Sequence, residues 1–294
     1  NISFADYTRR SFGAEVLEYL AQPIASTLTL GAPEDISAAY GLALAWYMAP
    51  GLFTFRKGIG FLAGSLANNI RSIKLKTPVK KIVLEKKRVK GVEIGTGKSR
   101  QFIDADHVVC ATLAGEAAKL LPDLPPDMVE VLESVRYSAC TMVMLAVRGR
   151  PLGAIYAIAT PRREGLCFSG ITENAVKSPT YAPANSGIIH AYTFNNYAKE
   201  MLDMPDEAVR ERVIGDIQKV VPRFPDEPTF TEIFRWPQAV CLSSPGQITA
   251  VQRLKVALRE YTGLHLVGEY FGMPSVEAAI NSGVKEADRI IKSI

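Results

Sequence analysis

The sequence predicts an α+β protein with α/β character, and three observations carry that prediction. Apolar residues recur at threes and fours from Phe4 to Leu20 and from Ser275 to Ile294, so helices open and close the chain. Between Ile73 and Thr112 the pattern shortens to strand-like runs. From Thr141 to Phe234 five such runs surround one clear helix, the composition of a mostly antiparallel sheet with flanking helices. The 294 residues, 48% hydrophobic and 22% charged, suffice for about two domains whose cores need neither metal nor disulfides.

Each element has a local reason. Ser3 is an N-cap before Phe4, Tyr7, Phe12, Val16, Leu17 and Leu20, which share one helical face. Pro33-Glu34-Asp35 starts a second helix through Met48, which Pro50-Gly51 ends, and Gly60 to Ile70 forms a third. Ile73 to Leu75 reads as a short strand. Val79–Glu85 and Val89–Ile94 pair as a hairpin across Lys86-Lys87-Arg88. Phe102 to Asp104 is a strand, His107 to Thr112 a buried strand, and Gly115 to Leu121 a short helix. The strands of the middle stretch are Thr141–Val147, Ile155–Thr160, Leu166–Gly170, Gly187–Thr193 and Thr229–Phe234, with the helix Asp206–Val221 before the last. Leu264 to Val267 is a strand stopped by Gly268. The closing helix is amphipathic, with Val276, Ile280, Gly283, Ala287, Ile290 and Ile294 on one face.

Composition excludes several classes of function. The net charge is +4, from 34 Lys+Arg against 30 Asp+Glu, and the basic residues are scattered. The densest run, Lys80-Lys81 through Lys86-Lys87-Arg88 to Lys90, is the solvated face of a hairpin, so no nucleic-acid partner is expected. Cys110, Cys140, Cys167 and Cys241 are far apart among apolar residues and read as buried free thiols in a reducing, cytoplasmic setting. Ile36 to Phe55 carries no charge, but Ser37, Tyr40, Gly41, Pro50, Gly51 and Thr54 make it a buried helix and turn, not a membrane span. The chain opens at Asn1 directly in a helical pattern, so sequence is expected upstream of it.

Two glycine motifs fail on context. Gly58-Ile59-Gly60-Phe61-Leu62-Ala63 has the letters of a dinucleotide loop, but Arg56-Lys57 precede it and Thr77-Pro78 stand where an acidic residue belongs. Gly95-Thr96-Gly97-Lys98-Ser99 resembles the tail of a P-loop, but Val92 occupies the first glycine position and a strand follows. The three histidines are isolated, without zinc spacing, and no GxSxG elbow exists; hydrolytic, zinc and kinase chemistries are unsupported, and no metal is expected.

The C-terminal segment has the chemistry of a site. Leu264–Val267 runs into Gly268-Glu269-Tyr270-Phe271-Gly272, and Pro274-Ser275 opens the long helix. Gly268 permits close approach to the backbone, and Glu269 puts a carboxylate at the carboxyl end of the strand, where open α/β sheets bind ligands. The amides of the following helix start stabilise an anion. On chemistry alone this arrangement serves either to cap the helix or to hold a ligand.

The run from Gly268 to Gly283, Gly-Glu-Tyr-x-x-x-Pro-Ser-Val-Glu-x-Ala-Ile-x-Ser-Gly, resembles the C-terminal FAD motif of the flavin-containing amine oxidase superfamily, which includes protoporphyrinogen oxidases and phytoene desaturase-like enzymes. Weaker matches follow in the family's order. Phe4-Ala5-Asp6-Tyr7-x-x-Arg10-x-Phe12-Gly13-x-Glu15-Val16-Leu17, Pro23 and Gly31 to Ser37 are similar to the helical segment of protoporphyrinogen oxidase-like members. Lys57 to Leu62 resembles a Gly-Gly helix start, Thr77 to Ile82 and Ala105 to Ala111 the FAD-domain hairpin and return strand, and Arg235-Trp236-Pro237-x-Ala239 with Pro245-Gly246 the stretch leading back to the flavin.

The resemblance implies an FAD-dependent oxidoreductase that oxidises a C–N or C–C bond by hydride transfer. It implies that the Val79 backbone meets the adenine, that Gly268 and Glu269 lie by the pyrophosphate and ribityl chain, and that Ser275, Val276 and neighbouring amides face the flavin N1–C2=O2 edge. Trp236 and Tyr270 become walls of the substrate pocket, unless they are ordinary core residues. Residues 1–56 then belong to the helical part of the substrate domain, 57–115 and 236–294 to an FAD domain, and 116–235 to the substrate domain. Members of the superfamily begin with a βαβ unit whose Gly-rich loop holds the diphosphate, and these 294 residues contain none. The expectation is therefore a truncated FAD-domain remnant, a fragment or one half of a split enzyme, inactive alone and binding FAD weakly or not at all. The competing expectation is a non-catalytic binding or assembly module for an apolar ligand. The partners expected are a small apolar or amine substrate and a missing N-terminal segment or partner chain, with peripheral membrane contact allowed.

Overall fold

The computed structural model describes residues 1–47, 54–95 and 97–293, and they form two compact units of mixed helix and sheet. One comprises Ile2–Arg71 and Tyr137–Val240, the other Ser72–Arg136 and Cys241–Ile294. The sequence reading divides the chain at 57, 116 and 236. The compact units divide at 72, 137 and 241, which places the Gly60–Ala67 helix with the first and the Pro126–Glu133 helix with the second.

In the second unit, β1 (Val79–Glu85), β2 (Arg88–Ile94) and β3 (Gln101–Asp104) form an antiparallel meander. Lys86 and Lys87 turn between the first two with φ of 47° and 62°, the positive values a tight hairpin needs. A separate parallel pair joins β4 (Val108–Cys110) to β10 (Leu264–Leu266), with Leu264 opposite Val108 and Leu266 opposite Cys110. In the first unit, β5 (Cys140–Arg148), β6 (Ala157–Ala159), β7 (Phe168–Glu173), β8 (Ser186–Thr193) and β9 (Phe230–Trp236) make one antiparallel sheet in the order β6-β7-β8-β5-β9.

One face of that sheet supplies the core. Val143, Leu145, Ile171 and Ile189 pack with Val209, Val213 and Ile217 of the Asp206–Val220 helix, all fully buried. Each such side chain stabilises the fold by about 1.5–3 kcal/mol. The same helix buries Asp216, which accepts the Cys167 N–H at 2.9 Å and pairs with Lys219 at 2.6 Å. Burial alone would raise that carboxyl's pKa; Lys219 and the Cys167 donor outweigh it and hold it below the ordinary value. All four cysteines are free and buried, and burial pushes the Cys140 thiol up to about 12.

Several expectations need correction. The Phe4–Leu20 helix is broken: Ser3 Oγ accepts the Asp6 N–H at 3.0 Å and caps Phe4–Phe12, but Gly13 at φ 91° ends that segment. A π-turn, Leu17–Ala21, then leads into the Gln22–Thr29 helix. Pro33 to Asp35 form a turn, and the next helix starts at Ala38, with Ser37 Oγ accepting the Tyr40 N–H. The expected stop at Pro50-Gly51 lies outside the described residues. Ile73 to Leu75 is not a strand, and Leu75 is 81% exposed. The His107–Thr112 strand shrinks to β4, where Val109 is 48% exposed, so one face of the strand is left without a packed layer over it.

The Val276–Ser293 helix is turned the other way from its amphipathic pattern. Val276, Ile280 and Ala287 are exposed, and the buried residues are Ser282 and Glu286. The buried side is the hydrogen-bonded one: Ser282 Oγ accepts the Gly268 N–H at 3.2 Å, and Glu286 meets His265 at 3.3 Å. Among the described residues no helix is long and apolar enough to cross a membrane.

Candidate flavin-binding turn

The parallel pair ends where the Val267 N–H donates to the Cys110 carbonyl at 3.0 Å. Gly268 follows at φ 156°, and a Cβ there would lie 2.7 Å from Cε1 of the Tyr270 ring. Tyr270 is 3% exposed, with its ring centroid 4.6 Å from that of Phe271. Glu269–Phe271 makes one 3-10 turn, and the Gly272 N–H closes it on the Glu269 carbonyl at 2.9 Å. Ser275 then caps the long helix, its Oγ accepting the Ala278 N–H at 3.0 Å. The Val276 and Glu277 amides have no hydrogen-bond partner among the described residues, and both side chains are exposed.

This turn brings Gly268, Glu269, Ser275 and Val276 together within one strand–turn–helix. The half-buried Glu269 carboxylate acts on the Cys241 thiol: burial raises that thiol's pKa, and the charge of Glu269 adds to the rise. A recess of about 180 Å³ beside the turn is lined by Lys255, Phe271, Gly272, Asn281, Ser282 and Lys285, so two lysines flank it. Free helix-start amides and two flanking cations fit a diphosphate-bearing, electron-accepting cofactor.

The other expected residues are Val79, Trp236 and Tyr270. Val79 is the half-buried first residue of β1, in the antiparallel sheet of the same unit. Trp236 belongs to β9 in the other unit; it is 42% exposed, and its ring stacks on Phe234 at 5.7 Å and 9°. Tyr270 is buried, so what it presents is packing against Gly268.

Parallel pairing of β4 and β10 joins two histidines that the sequence leaves isolated. His107 Nδ1 lies 3.1 Å from His265 Nε2, and His265 Nδ1 lies 3.3 Å from the buried Glu286, which pairs with Arg289 at 2.8 Å. Residues 158 apart gave no signal of this. Among the described residues no group of three or more His, Cys, Asp or Glu side chains is arranged to hold a metal.

The profile of the flavin containing amine oxidoreductases matches residues 1–291, so the chain belongs to that family. It is 23% identical to the chloroplastic protoporphyrinogen oxidase of Oryza sativa subsp. japonica, over 98% of this chain and 62% of the rice protein. It is 24% identical to protein anon-37Cs of Drosophila melanogaster, over 80% of this chain and 51% of that protein. The chain thus spans roughly half to three-fifths of the length of these curated relatives. Among solved structures its fold is similar to that of the Exiguobacterium sp. 255-15 protein named as a candidate protoporphyrinogen oxidase, with TM-score 0.81 and 21% identity, covering 100% of this chain and 67% of that one. Cyclohexylamine oxidase from Brevibacterium oxydans IH-35A gives TM-score 0.75 and 15% identity, covering 100% and 68%. These likenesses show the fold.

The turn makes a prediction that needs no cofactor. Gly268→Ala places a methyl group against a buried ring, so it should lower stability by about 1–3 kcal/mol. Urea unfolding followed at the unit's tyrosines measures this, and Gly272→Ala, where a Cβ would meet Ala278 at 3.3 Å, should cost less.

Proposed function

We propose that this chain contributes the cofactor-facing turn and the substrate-binding sheet of an FAD-dependent oxidoreductase that oxidises a C–N or C–C bond. FAD, when bound, supplies the acceptor for the substrate's hydride. The protein's part is to bind and orient, which agrees with the lack of a nucleophile–base pair in the sequence.

The observation that carries this reading is the Gly268–Val276 segment. Gly268 lets the Tyr270 ring fold against the strand end and so sets the turn, and Glu269 presents a hydrogen-bond acceptor to hydroxyls there. The Val276 and Glu277 amides point positive ends of peptide dipoles at negative charge, worth about 0.3–1 kcal/mol and more when buried. Val79 would offer its backbone to the adenine, and Trp236 an aromatic surface to the substrate. No Gly-rich strand–loop–helix lies within these 294 residues to hold the diphosphate. The chain alone should therefore bind FAD in a saturable but weak manner and elute from gel filtration with less than one flavin per chain.

Titration of FAD by fluorescence anisotropy tests this. Saturable binding that Glu269→Ala weakens at least tenfold supports the reading. One tightly held flavin per purified chain would overturn the weak-binding expectation. No binding at millimolar FAD, or binding indifferent to Glu269→Ala, would overturn the assignment of the turn.

A further inference from the structure

The five-stranded sheet of the Ile2–Arg71 and Tyr137–Val240 unit has a second face, opposite its helix-covered core. Register places Thr172 of β7 beside His190 of β8, His190 beside Met144 of β5, and Met144 beside Glu232 of β9. Tyr192 sits beside Met142, which sits beside Phe234, and Phe234 stacks on Trp236. This is an apolar, aromatic and thioether surface, and none of the residues that register puts on it from positions 140 to 146, 188 to 192 and 230 to 236 is Lys or Arg.

A chain of hydrogen bonds fixes the one imidazole on that surface. Asn174 Nδ2–H donates to Thr172 Oγ1 at 3.3 Å; burial raises the pKa of the Tyr192 phenol, and Thr172 in turn works against that rise. The phenol lies 3.3 Å from His190 Nδ1, and we infer the tautomer in which it donates to that nitrogen. An imidazole that accepts at Nδ1 carries its proton on Nε2. That N–H has no partner among the described residues. Burial, reinforced by Lys177, lowers the His190 pKa to about 4, so the ring is neutral near pH 7 and Nε2–H is a permanent donor. Lys177, its Nζ 6.0 Å from the centre of the Tyr156 ring, adds positive potential at this end; Glu232 lies two strands away.

We propose that His190 is the specificity-determining donor of a ligand site on this face, for a flat, largely apolar molecule that presents one hydrogen-bond acceptor to Nε2. Met144 and Phe234 carry the apolar body, Trp236 stacks on Phe234 and reports its contacts, and the acceptor lies toward the His190 and Lys177 end. The inference rests on reading this sheet as substrate-binding and supplies the chemistry that it selects.

The test uses two probes of one shape, 9-fluorenone and fluorene, which differ by the carbonyl. The protein carries Trp46→Phe so that Trp236 is its one indole, and the Trp236 indole N–H signal is followed by NMR. Fluorenone should bind about tenfold more tightly than fluorene, the worth of one buried hydrogen bond. His190→Phe should abolish that preference while fluorene still binds, and His190→Gln, which keeps an N–H donor, should restore part of it. Equal affinities in the parent protein, a preference that survives His190→Phe, or no shift with either probe would overturn the proposal. Because no flavin takes part, such a failure leaves the FAD titration untouched, and a failed FAD titration leaves this measurement intact.

Discussion

Between pH 7 and pH 4 the sheet unit should lose up to about 3 kcal/mol of stability through His190 alone. In the folded chain this imidazole titrates at about 4, against an ordinary value of 6.5, first because it is buried and then because Lys177 repels a second positive charge. Between those two values the unfolded chain binds the proton and the folded chain does not. Stability therefore rises with pH through that window and is constant with respect to His190 above and below it. About 2 kcal/mol of the contribution should be gone by pH 5. The carboxylates Glu18 and Asp216, whose pKa values are lowered from ordinary values of 4.5 and 3.8, lose their contribution as pH falls from those values, so they enter only at the acid end of this window and below it. Urea unfolding at pH 5 and pH 7.5, for the parent and His190→Gln, isolates the term as the difference between their pH slopes. Equal slopes would mean the ring charges freely in the folded state and that its surroundings are wet.

How much of this was legible in the sequence varies with the physics behind each element. The β1–β2 hairpin was legible because its strands alternate around a short basic turn. The Asp206–Val220 helix was legible because its apolar period has no interruption. The Pro126–Glu133 helix was not, because Pro125-Pro126 reads as a break although proline is well placed in a first turn. The orientation of the closing helix was not, because the apolar stripe is clear in the sequence while the bonds of Ser282 and Glu286 depend on residues 14 and 21 positions away. The Gly268–Val276 turn was found from local order alone. The Asn174–Thr172–Tyr192–His190 chain was beyond reach because it depends on the register of β7 against β8. His190 and Tyr192 do alternate along β8, a signal that they share a face, but nothing in the sequence says which groups meet them there.

Glu269→Ala should weaken FAD binding tenfold to a hundredfold, about 1–3 kcal/mol, the cost of leaving hydrogen-bond donors without an acceptor in a half-buried site. The carboxylate stands one residue beyond Gly268, in the turn between the parallel strand and the helix cap. There it can accept from hydroxyls of the ribityl or ribose chain or from water ordered at the diphosphate. The competing role is support of the turn, since the Glu269 carbonyl already closes it through the Gly272 N–H. That bond uses backbone atoms only and survives the substitution, so the apo chain should melt at nearly the parent temperature. Removing the charge should also let the Cys241 thiol titrate lower than in the parent while burial still keeps it raised, a signature readable without flavin. FAD titrations of both proteins beside flavin-free melting curves separate the two roles. Unchanged FAD affinity with a lower apo melting temperature would make Glu269 a structural residue and remove it from the site.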